Sequence, residues 1–229
     1  MYPTDAFVTS VHGKPSGILW ATEGCSRKMR RLHGGCCYNV KLLVCTDLRL
    51  EEGHGMRPDP SECAMFYRGY IDQIPETDIV GVLQSQLSEV CQFWRTIPEE
   101  LAASVHPPYT WKLRQVLDHL VDGERIFGYR LHRIARGDAT PLPGFDEQHY
   151  AVASEEHPAP LSDIIAAFES LRMANLLLIR NLADAAWDRA GTTSGSHITA
   201  RALIYILAGH VRHHDVVLRK RLADVRREL

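Results

Sequence analysis

Several features that define other classes of protein are missing from this chain of 229 residues. No cysteine lies beyond Cys91, which excludes a disulfide framework through the C-terminal part. No apolar run approaches the about 20 residues of a membrane span, and the N-terminus lacks the apolar segment of a secretory signal. A net charge of -2 without a dense Lys/Arg run gives little attraction for nucleic acid or anionic lipid. These absences predict a cytoplasmic protein whose partners include neither nucleic acid nor a membrane.

Alternation with a period of two residues is also missing over any useful length. A helical period of three or four residues is instead clear from about residue 77 onward. Helices are predicted from about 77 to 97, 111 to 136, 161 to 182 and 199 to 223. Thr199 is the expected N-cap of the last helix, and Gly137 lies just beyond the end of the second. Four long amphipathic helices predict an all-α four-helix bundle.

The connection between the second and third predicted helices runs for about twenty residues and contains the stretch GFDEQHY. Loops of this length inside a compact domain are usually functional or disordered, and binding residues concentrate on loops held by a rigid scaffold. GFDEQHY is therefore the predicted lid of a site. The linker before the fourth helix, which contains Gly191 and Gly195, is predicted to be irregular.

Residues 1–55 share none of this periodicity and contain scattered glycines and two adjacent cysteines. NVKLLVC, at 39–45, has the pattern of a short strand, but nothing offers it a partner. Two interpretations follow: an irregular or disordered extension, or sequence upstream of a misplaced start, since a plausible beginning occurs at Met56. In both interpretations the bundle domain comprises residues 56–229.

The fourth predicted helix carries histidines where a bundle normally places Leu or Val. Its apolar stripe runs through Leu203, Leu207, His210, His214 and Val217. Side chains at i and i+4 lie one turn apart on one face, a spacing that suits two nitrogens on one metal ion. Because no glutamate stands between the two histidines, the usual metalloprotease motif is excluded.

A third ligand must come from another helix, and His119, beside the apolar stripe of the second helix, is the best candidate. Four-helix bundles build metal sites from inward side chains on facing helices. Unsatisfied buried polar groups cost about 1–3 kcal/mol each, so three imidazoles without a shared partner would be hard to sustain. The spacing predicts one divalent ion on His119, His210 and His214; the alternative is a set of hydrogen-bonded core histidines.

The remaining histidines are predicted to stay outside this site. His213 lies on the flank of the stripe, as a surface residue or a neighbour of the ligands. His132 lies more than three turns beyond His119 on the same helix, too far to share its metal. His149, His157 and His197 are expected to be solvated, although His149 could reach the mouth of the site.

At these residues the sequence resembles the DinB/YfiT superfamily. The resemblance covers about residues 56–229 and rests on YIDQIPETDIVGVLQSQL, WKLRQVLDHLVDGERIFGYR, ARGDATPLPGFDEQHY and ALIYILAGHVRHHDVVLRKR, in that order. It implies a four-helix bundle with a divalent metal, often zinc or nickel, on three histidines: one on the second helix and two spaced four apart on the last. His119, His210 and His214 match those positions. The resemblance also implies a homodimer.

Characterised members of that family include thiol S-transferases that use bacillithiol or mycothiol, and a mycothiol-dependent maleylpyruvate isomerase. Three imidazoles leave open positions on a metal, which mark a catalytic site, and a metal-bound thiol or water is acidified. The leading hypothesis is a metal-dependent enzyme that activates a low-molecular-weight thiol for transfer to a small electrophilic substrate. The alternatives are a metal-water hydrolase and a non-catalytic metal-binding or dimerisation module.

Asp122 and Glu124 are the candidates for a catalytic role. Asp122 follows His119 by about one turn and could orient that ligand, with a place on the helix surface as the alternative. Glu124 and Arg130 could pair with each other or face the site. Trp111 and Trp187 are expected to pack in the core or at the rim rather than to contact substrate.

Overall fold

The computed structural model describes residues 56–228, and the predicted extension over residues 1–55 lies outside the described residues. After a 3-10 turn at Pro60–Glu62, the helices are α1 (Met65–Ile71), α2 (Ile79–Trp94), α3 (Glu99–Ala102), α4 (Leu113–Ala135), α5 (Glu147–Ala153), α6 (Leu161–Arg180), α7 (Asp184–Trp187) and α8 (Ala200–Glu228). Strands β1 (Ala190–Thr193) and β2 (Ser196–Thr199) precede α8. The long helices α2, α4, α6 and α8 are the four that the sequence predicts, so the all-α four-helix class is confirmed.

Local signals set the ends of the long helices. The carboxylate of Asp78 accepts a hydrogen bond from the backbone N–H of Gly81 in the first turn of α2. Thr199 Oγ1 accepts from the N–H of Ala202, 3.0 Å away, at the start of α8. Gly137 follows α4 with φ +79°, a left-handed conformation that glycine adopts without strain. The predicted caps at Thr199 and Gly137 are confirmed.

The long helices are not arranged in simple chain order. Helix α2 packs against α6 and α8, and α4 packs against the same two helices, so α2 and α4 occupy opposite corners of the bundle. The short helix α1 lies along α8. The two helices approach closely at Gly209, where a Cβ atom would lie 2.1 Å from the carbonyl oxygen of Tyr70, a contact that only glycine permits.

The apolar core divides into two clusters, one that includes residues of α1 and the hairpin and one that includes α3. A polar layer lies between them. Gln86, Glu124, Arg172 and His210 belong to α2, α4, α6 and α8, and each is buried between residues of one cluster and residues of the other. Within residues 56–228, no helix combines the length and the apolarity required to cross a bilayer.

The linker before α8 differs from its prediction, because it forms an antiparallel hairpin. Ala190 pairs with Thr199, and Thr193 pairs with Ser196. The two residues between the strands, Ser194 and Gly195, have φ of 51° and 77°, as in a two-residue type I′ turn. Strands of four residues are too short to show a period-two pattern, so the periodicity did not reveal them.

The long connection after α4 also contains regular structure. Helix α5 spans Glu147–Ala153 and begins at Asp146, whose carboxylate accepts hydrogen bonds from the backbone N–H groups of Gln148 and His149. A helix of two turns is too short to display a stripe, but its aspartate cap was visible in GFDEQHY.

Candidate metal centre

Three histidines converge between two facing helices. His119 lies on α4, and His210 and His214 lie on α8. Their ligating nitrogens all lie within 4.8 Å of one another, and the Nε2 atoms of His119 and His210 are 2.9 Å apart. The structure therefore brings together the three histidines that the apolar stripes of the sequence single out.

Gly123 makes room for the ring of His210. A Cβ atom at residue 123 would lie 2.8 Å from both Nδ1 and Cε1 of that imidazole. Tyr70 and Phe127 contact the same ring edge to face, with centroid distances of 5.3 and 5.5 Å. His210 is consequently only 4% exposed and is held between α4 and α1.

Burial keeps the three imidazoles neutral. Desolvation lowers the pKa of His119 to about 4. Desolvation, reinforced by His119 and His213, lowers the pKa of His214 to about 3. Desolvation and then the neighbouring His214 hold the pKa of His210 well below its usual range. The neutral imidazole is the form that binds a metal ion, so the three histidines are ready to act as ligands at pH 7.

The nitrogens of the triad fit a divalent ion. Nε2 of His214 is buried and has no hydrogen-bond partner among residues 56–228, which is rare for a buried polar atom. Nitrogens that share one zinc ion, with bonds of about 2.1 Å, lie about 3.4 Å apart. The 2.9 Å contact and the 4.8 Å limit bracket that spacing. Three imidazoles are also a donor set that suits zinc and nickel.

The triad lines a cavity of about 440 Å³, within the range of pockets that bind small molecules. Much of its wall is aromatic, from Phe66, Tyr67, Tyr70, Tyr109, Trp111, Phe127 and Phe145. Its other polar groups include Glu147, Gln148 and Arg221. In the part of the chain that the structure describes, no further histidine, cysteine or acidic residue joins the three-histidine group, so the set leaves coordination positions open.

The predicted lid forms one side of this cavity. Phe145, Glu147 and Gln148, all within GFDEQHY, line it. The indole N–H of Trp111 donates to Oε1 of Gln148, 3.1 Å away, and the indole ring lies edge to face against His119 at 5.4 Å. Trp111 therefore packs at the rim, as predicted, and at the same time contacts His119 of the triad.

Helix α5 and the residues just after it contact the beginning of α4. The side chain of Gln115 donates to the carbonyl oxygen of Ala151, 2.6 Å away, and Lys112 pairs with Glu155. These contacts make α5 a fixed wall of the cavity in this structure.

Glu124 does not face the cavity. Its carboxylate accepts hydrogen bonds from Arg172, at 2.6 and 3.1 Å, and from Nδ2 of Asn175, at 2.9 Å, and the residue is 2% exposed. Arg130 donates instead to the hydroxyl of Tyr67, to the carbonyl oxygen of Pro143 and to Ser194. The predicted alternatives for Glu124, pairing with Arg130 or facing the site, are both wrong, because α6 supplies its partners.

Asp122 lies on α4 outside the cavity wall. It is half-buried, and its carboxylate is 3.7 Å from Arg125. Burial, followed by the charge of Asp118, raises the pKa of this carboxyl. Within residues 56–228 the carboxylate forms no hydrogen bond with an imidazole, so its geometry corresponds to the helix-surface alternative.

The other histidines are not members of the triad. Nδ1 of His213 is 3.3 Å from Nε2 of Gln73, and its ring packs edge to face against Tyr70 and His214 without lining the cavity. The four remaining histidines that were considered as alternatives are exposed and absent from the cavity wall: His132, His149, His157 and His197. His149 thus does not reach the mouth of the cavity.

Sequence reasoning missed Tyr67 and Tyr70 of α1 and Arg221 of α8. Two tyrosines three residues apart share one face of a helix, but nothing in the sequence places a seven-residue helix at the site. Arg221 continues the stripe of His214 through Val217, in steps of three and four. Following that stripe by one more turn would have found it.

A sequence model of the DinB superfamily matches residues 83–218, which include His119, His210 and His214. The chain belongs to the DinB superfamily. Among solved structures, YfiT from Bacillus subtilis is similar to this DinB superfamily chain, with a TM-score of 0.54. YfiT is described as a probable metal-dependent hydrolase with an unusual four-helix bundle topology. The two share 18% sequence identity over 73% of this chain and 94% of YfiT, which shows a common fold. Among curated proteins, nothing matches.

Proposed function

We propose that this DinB superfamily protein is a metal-dependent enzyme that holds a zinc or nickel ion on His119, His210 and His214. One observation carries the proposal: three neutral imidazoles meet at the wall of a 440 Å³ cavity, and one of their nitrogens has no protein partner in the described residues. Structural zinc sites are closed by four protein ligands, whereas catalytic sites keep a position for substrate. Three ligands beside a cavity favour catalysis over a non-catalytic metal-binding or dimerisation module.

The reaction that the site supports best is transfer of a low-molecular-weight thiol to a small electrophile. When bound, a divalent ion supplies the Lewis acidity that lowers the pKa of a thiol below its ordinary value of about 8.5. Tyr70, Trp111 and Phe127 surround the triad and limit water around the reacting atoms. No carboxylate belongs to the triad within residues 56–228, and thiol activation by a metal requires no protein base.

Hydrolysis is the second candidate, and the presence of Glu147 in the cavity wall favours it. Attack by water benefits from a general base, and Glu147 is an acidic residue in the cavity wall. Burial and then the charge of Glu147 raise the pKa of Tyr70, another residue of the cavity wall. YfiT's description as a probable metal-dependent hydrolase is in line with this candidate but belongs to YfiT.

Metal analysis of the purified full-length protein, followed by a screen of electrophiles with candidate thiols, tests the proposal. Thiol consumption that requires both the electrophile and the metal would support S-transfer. Metal-dependent product formation without thiol, reduced in Glu147→Gln, would support hydrolysis. A protein that binds metal and turns over neither class of substrate would be the non-catalytic module.

The homodimer and the cytoplasmic location stay predictions of the sequence. Light scattering at micromolar concentration tests the homodimer, because a monomer mass there would contradict it.

A further inference from the structure

Arg221 is a buried arginine in the wall of the cavity that the histidine triad lines. It lies on α8, two turns beyond His214, and is 2% exposed. Buried arginines are normally paired with a carboxylate, because removing an unpaired charge from water is unfavourable. The comparable arginine in this chain, Arg172, follows that rule through its contacts with Glu124.

The protein provides hydrogen-bond partners for only some of the N–H donors of Arg221. Nη2 lies 3.4 Å from the carbonyl oxygen of Ser104 and 2.9 Å from Nδ1 of His106. The guanidinium stands over the ring of Tyr109, 4.9 Å from its centroid. Nε is buried and has no hydrogen-bond partner among residues 56–228. A guanidinium carries five N–H donors, so these neutral contacts leave it able to accept a further partner.

No carboxylate of the described chain neutralises Arg221. Burial lowers the pKa of its guanidinium, and the opposing influence comes from the hydroxyl of Tyr109. The acidic residue of the cavity wall, Glu147, belongs to α5 and is exposed. The buried positive charge of Arg221 therefore lines the cavity without a carboxylate partner among residues 56–228.

The triad and Arg221 line the same cavity. His214 precedes Arg221 by two turns on α8, and His119 contacts Trp111, which follows Tyr109 closely in the chain. A small molecule that extends from the triad toward Tyr109 would reach the uncompensated guanidinium. Along that path it would lie against aromatic side chains.

We infer that Arg221 binds an anionic group, foremost a carboxylate, on the small molecule that occupies this cavity, and that the rest of that molecule is apolar or aromatic. The inference rests on the proposed function, since it concerns the substrate class of the same site. A guanidinium pairs with a carboxylate through two parallel hydrogen bonds, and the aromatic wall provides packing surface for an apolar body. Arg221 is then a specificity-determining residue.

Two matched probes test the inference: 3-phenylpropionate and its amide, 3-phenylpropanamide. They share size and shape and differ in charge. Isothermal titration calorimetry measures their binding to the full-length protein, both metal-depleted and loaded with zinc. The acid is expected to bind at least about tenfold more tightly than the amide in both forms, because only the acid pairs with the guanidinium.

Two variants test whether the acid binds to Arg221 itself or responds to any positive charge on α8. Arg221→Met keeps an unbranched apolar stem but removes the guanidinium and its charge, and should reduce the affinity for the acid to that for the amide without changing the latter. Lys220→Met removes the same charge from an exposed neighbour on α8 and should bind both probes as the wild type does. Circular dichroism spectra of both variants establish that they are folded.

Several results would overturn the inference. Equal affinity for acid and amide in the wild type would do so without any variant, as would absence of acid binding at millimolar concentration. Unchanged acid binding in folded Arg221→Met, or acid binding that appears only after zinc is added, would place the anion elsewhere. Because the metal-depleted arm requires neither metal nor turnover, failure of the proposed enzyme activity leaves this test intact.

Discussion

Two sets of polar side chains lie next to each other inside the bundle and differ in how completely their atoms are paired. The first, the Glu124 network, consists of Gln86, Glu124, Arg172 and Asn175. The guanidinium of Arg172 reaches Glu124, Gln86 at 3.0 Å and the carbonyl oxygen of Leu207. Gln86 in turn donates to the carbonyl oxygen of Ala208, 2.8 Å away.

The second set is the histidine triad, on the cavity side of the same layer. Its internal contact joins His119 and His210, while Nε2 of His214 is left without a partner in the described residues. Buried networks whose groups are all paired hold helices together, whereas unpaired buried nitrogens are poised to bind something else. The difference distinguishes a fully paired polar cluster from the candidate metal site in the same bundle. The following experiments test that distinction.

The largest effect is expected from breaking the Glu124 network. Arg172→Met should lower the free energy of unfolding by about 3–5 kcal/mol, because it leaves the carboxylate of Glu124 buried without its charged partner. Urea denaturation measures the change. Arg125→Met, which removes an exposed arginine from α4, is the control and should change the value by less than about 0.5 kcal/mol. A wild-type denaturation midpoint for Arg172→Met would contradict the pairing described for the network.

Substitutions in the histidine triad should change the amount of bound metal. His119→Ala, His210→Ala and His214→Ala are each expected to lose most of the bound divalent metal, measured by elemental analysis per chain. With zinc at 100 times its dissociation constant, the wild type gains about 2.7 kcal/mol of stability, and these variants should gain almost none. His213→Ala is the matched control and should retain the metal. Metal loss in His213→Ala combined with retention in His214→Ala would refute the i, i+4 assignment.

The metal-depleted protein should lose stability as the pH falls below about 6.5. The pKa values of His119 and His214 in the folded chain, about 4 and about 3, lie below the unfolded value near 6.5, so the unfolded chain takes up protons first. The loss amounts to about 1.4 kcal/mol per pH unit for each histidine, between pH 6.5 and its folded pKa. Urea denaturation from pH 7 to 5 measures it. His119→Gln should reduce the slope, and an unchanged slope would show that this ring is already protonated or exposed.

Gly123→Ala should have the smallest effect on stability. The added Cβ would lie 2.8 Å from the His210 ring and displace it, so zinc affinity should fall by about tenfold. The higher helix propensity of alanine, about 1 kcal/mol, offsets part of the crowding in the free energy of unfolding. Gly69→Ala, where nothing lies within 4 Å of the new atom, serves as the control for zinc titrations. Equal zinc affinity in both variants would show that the His210 ring has room to move.

The sequence exposed the triad but not the Glu124 network, for a physical reason. His210 and His214 interrupt an apolar stripe, so their inward position follows from the period of a single helix. Arg172 and Asn175 also continue an apolar stripe of their helix, in the order Phe168, Arg172, Asn175 and Ile179. Their inward position therefore follows from the period of α6, but their pairing with Glu124 depends on how α4 packs against α6, and the period of one helix carries no such information.

Contacts between residues far apart in the chain were also beyond prediction from the sequence. Glu124 and Arg172 are 48 residues apart, and only the packing of α4 on α6 pairs them. By contrast, Gly137 and Thr199 end and begin their helices through contacts within a few residues, and both were predicted. The cavity wall combines both cases: GFDEQHY was visible as a distinctive loop, while Tyr67 and Tyr70 reach the cavity through the docking of α1 on α8.

The docking of α1 on α8 also fixes the breadth of the cavity. At Gly209, the residue just before His210, the carbonyl oxygen of Tyr70 lies 2.1 Å from the place of a Cβ atom. Any larger residue there would push α1 outward together with Tyr67 and Tyr70, which form part of the cavity wall. The width available to a ligand thus depends on the absence of a side chain at Gly209. A larger side chain at residue 209 would therefore widen the cavity for broader molecules without changing any of the three histidines.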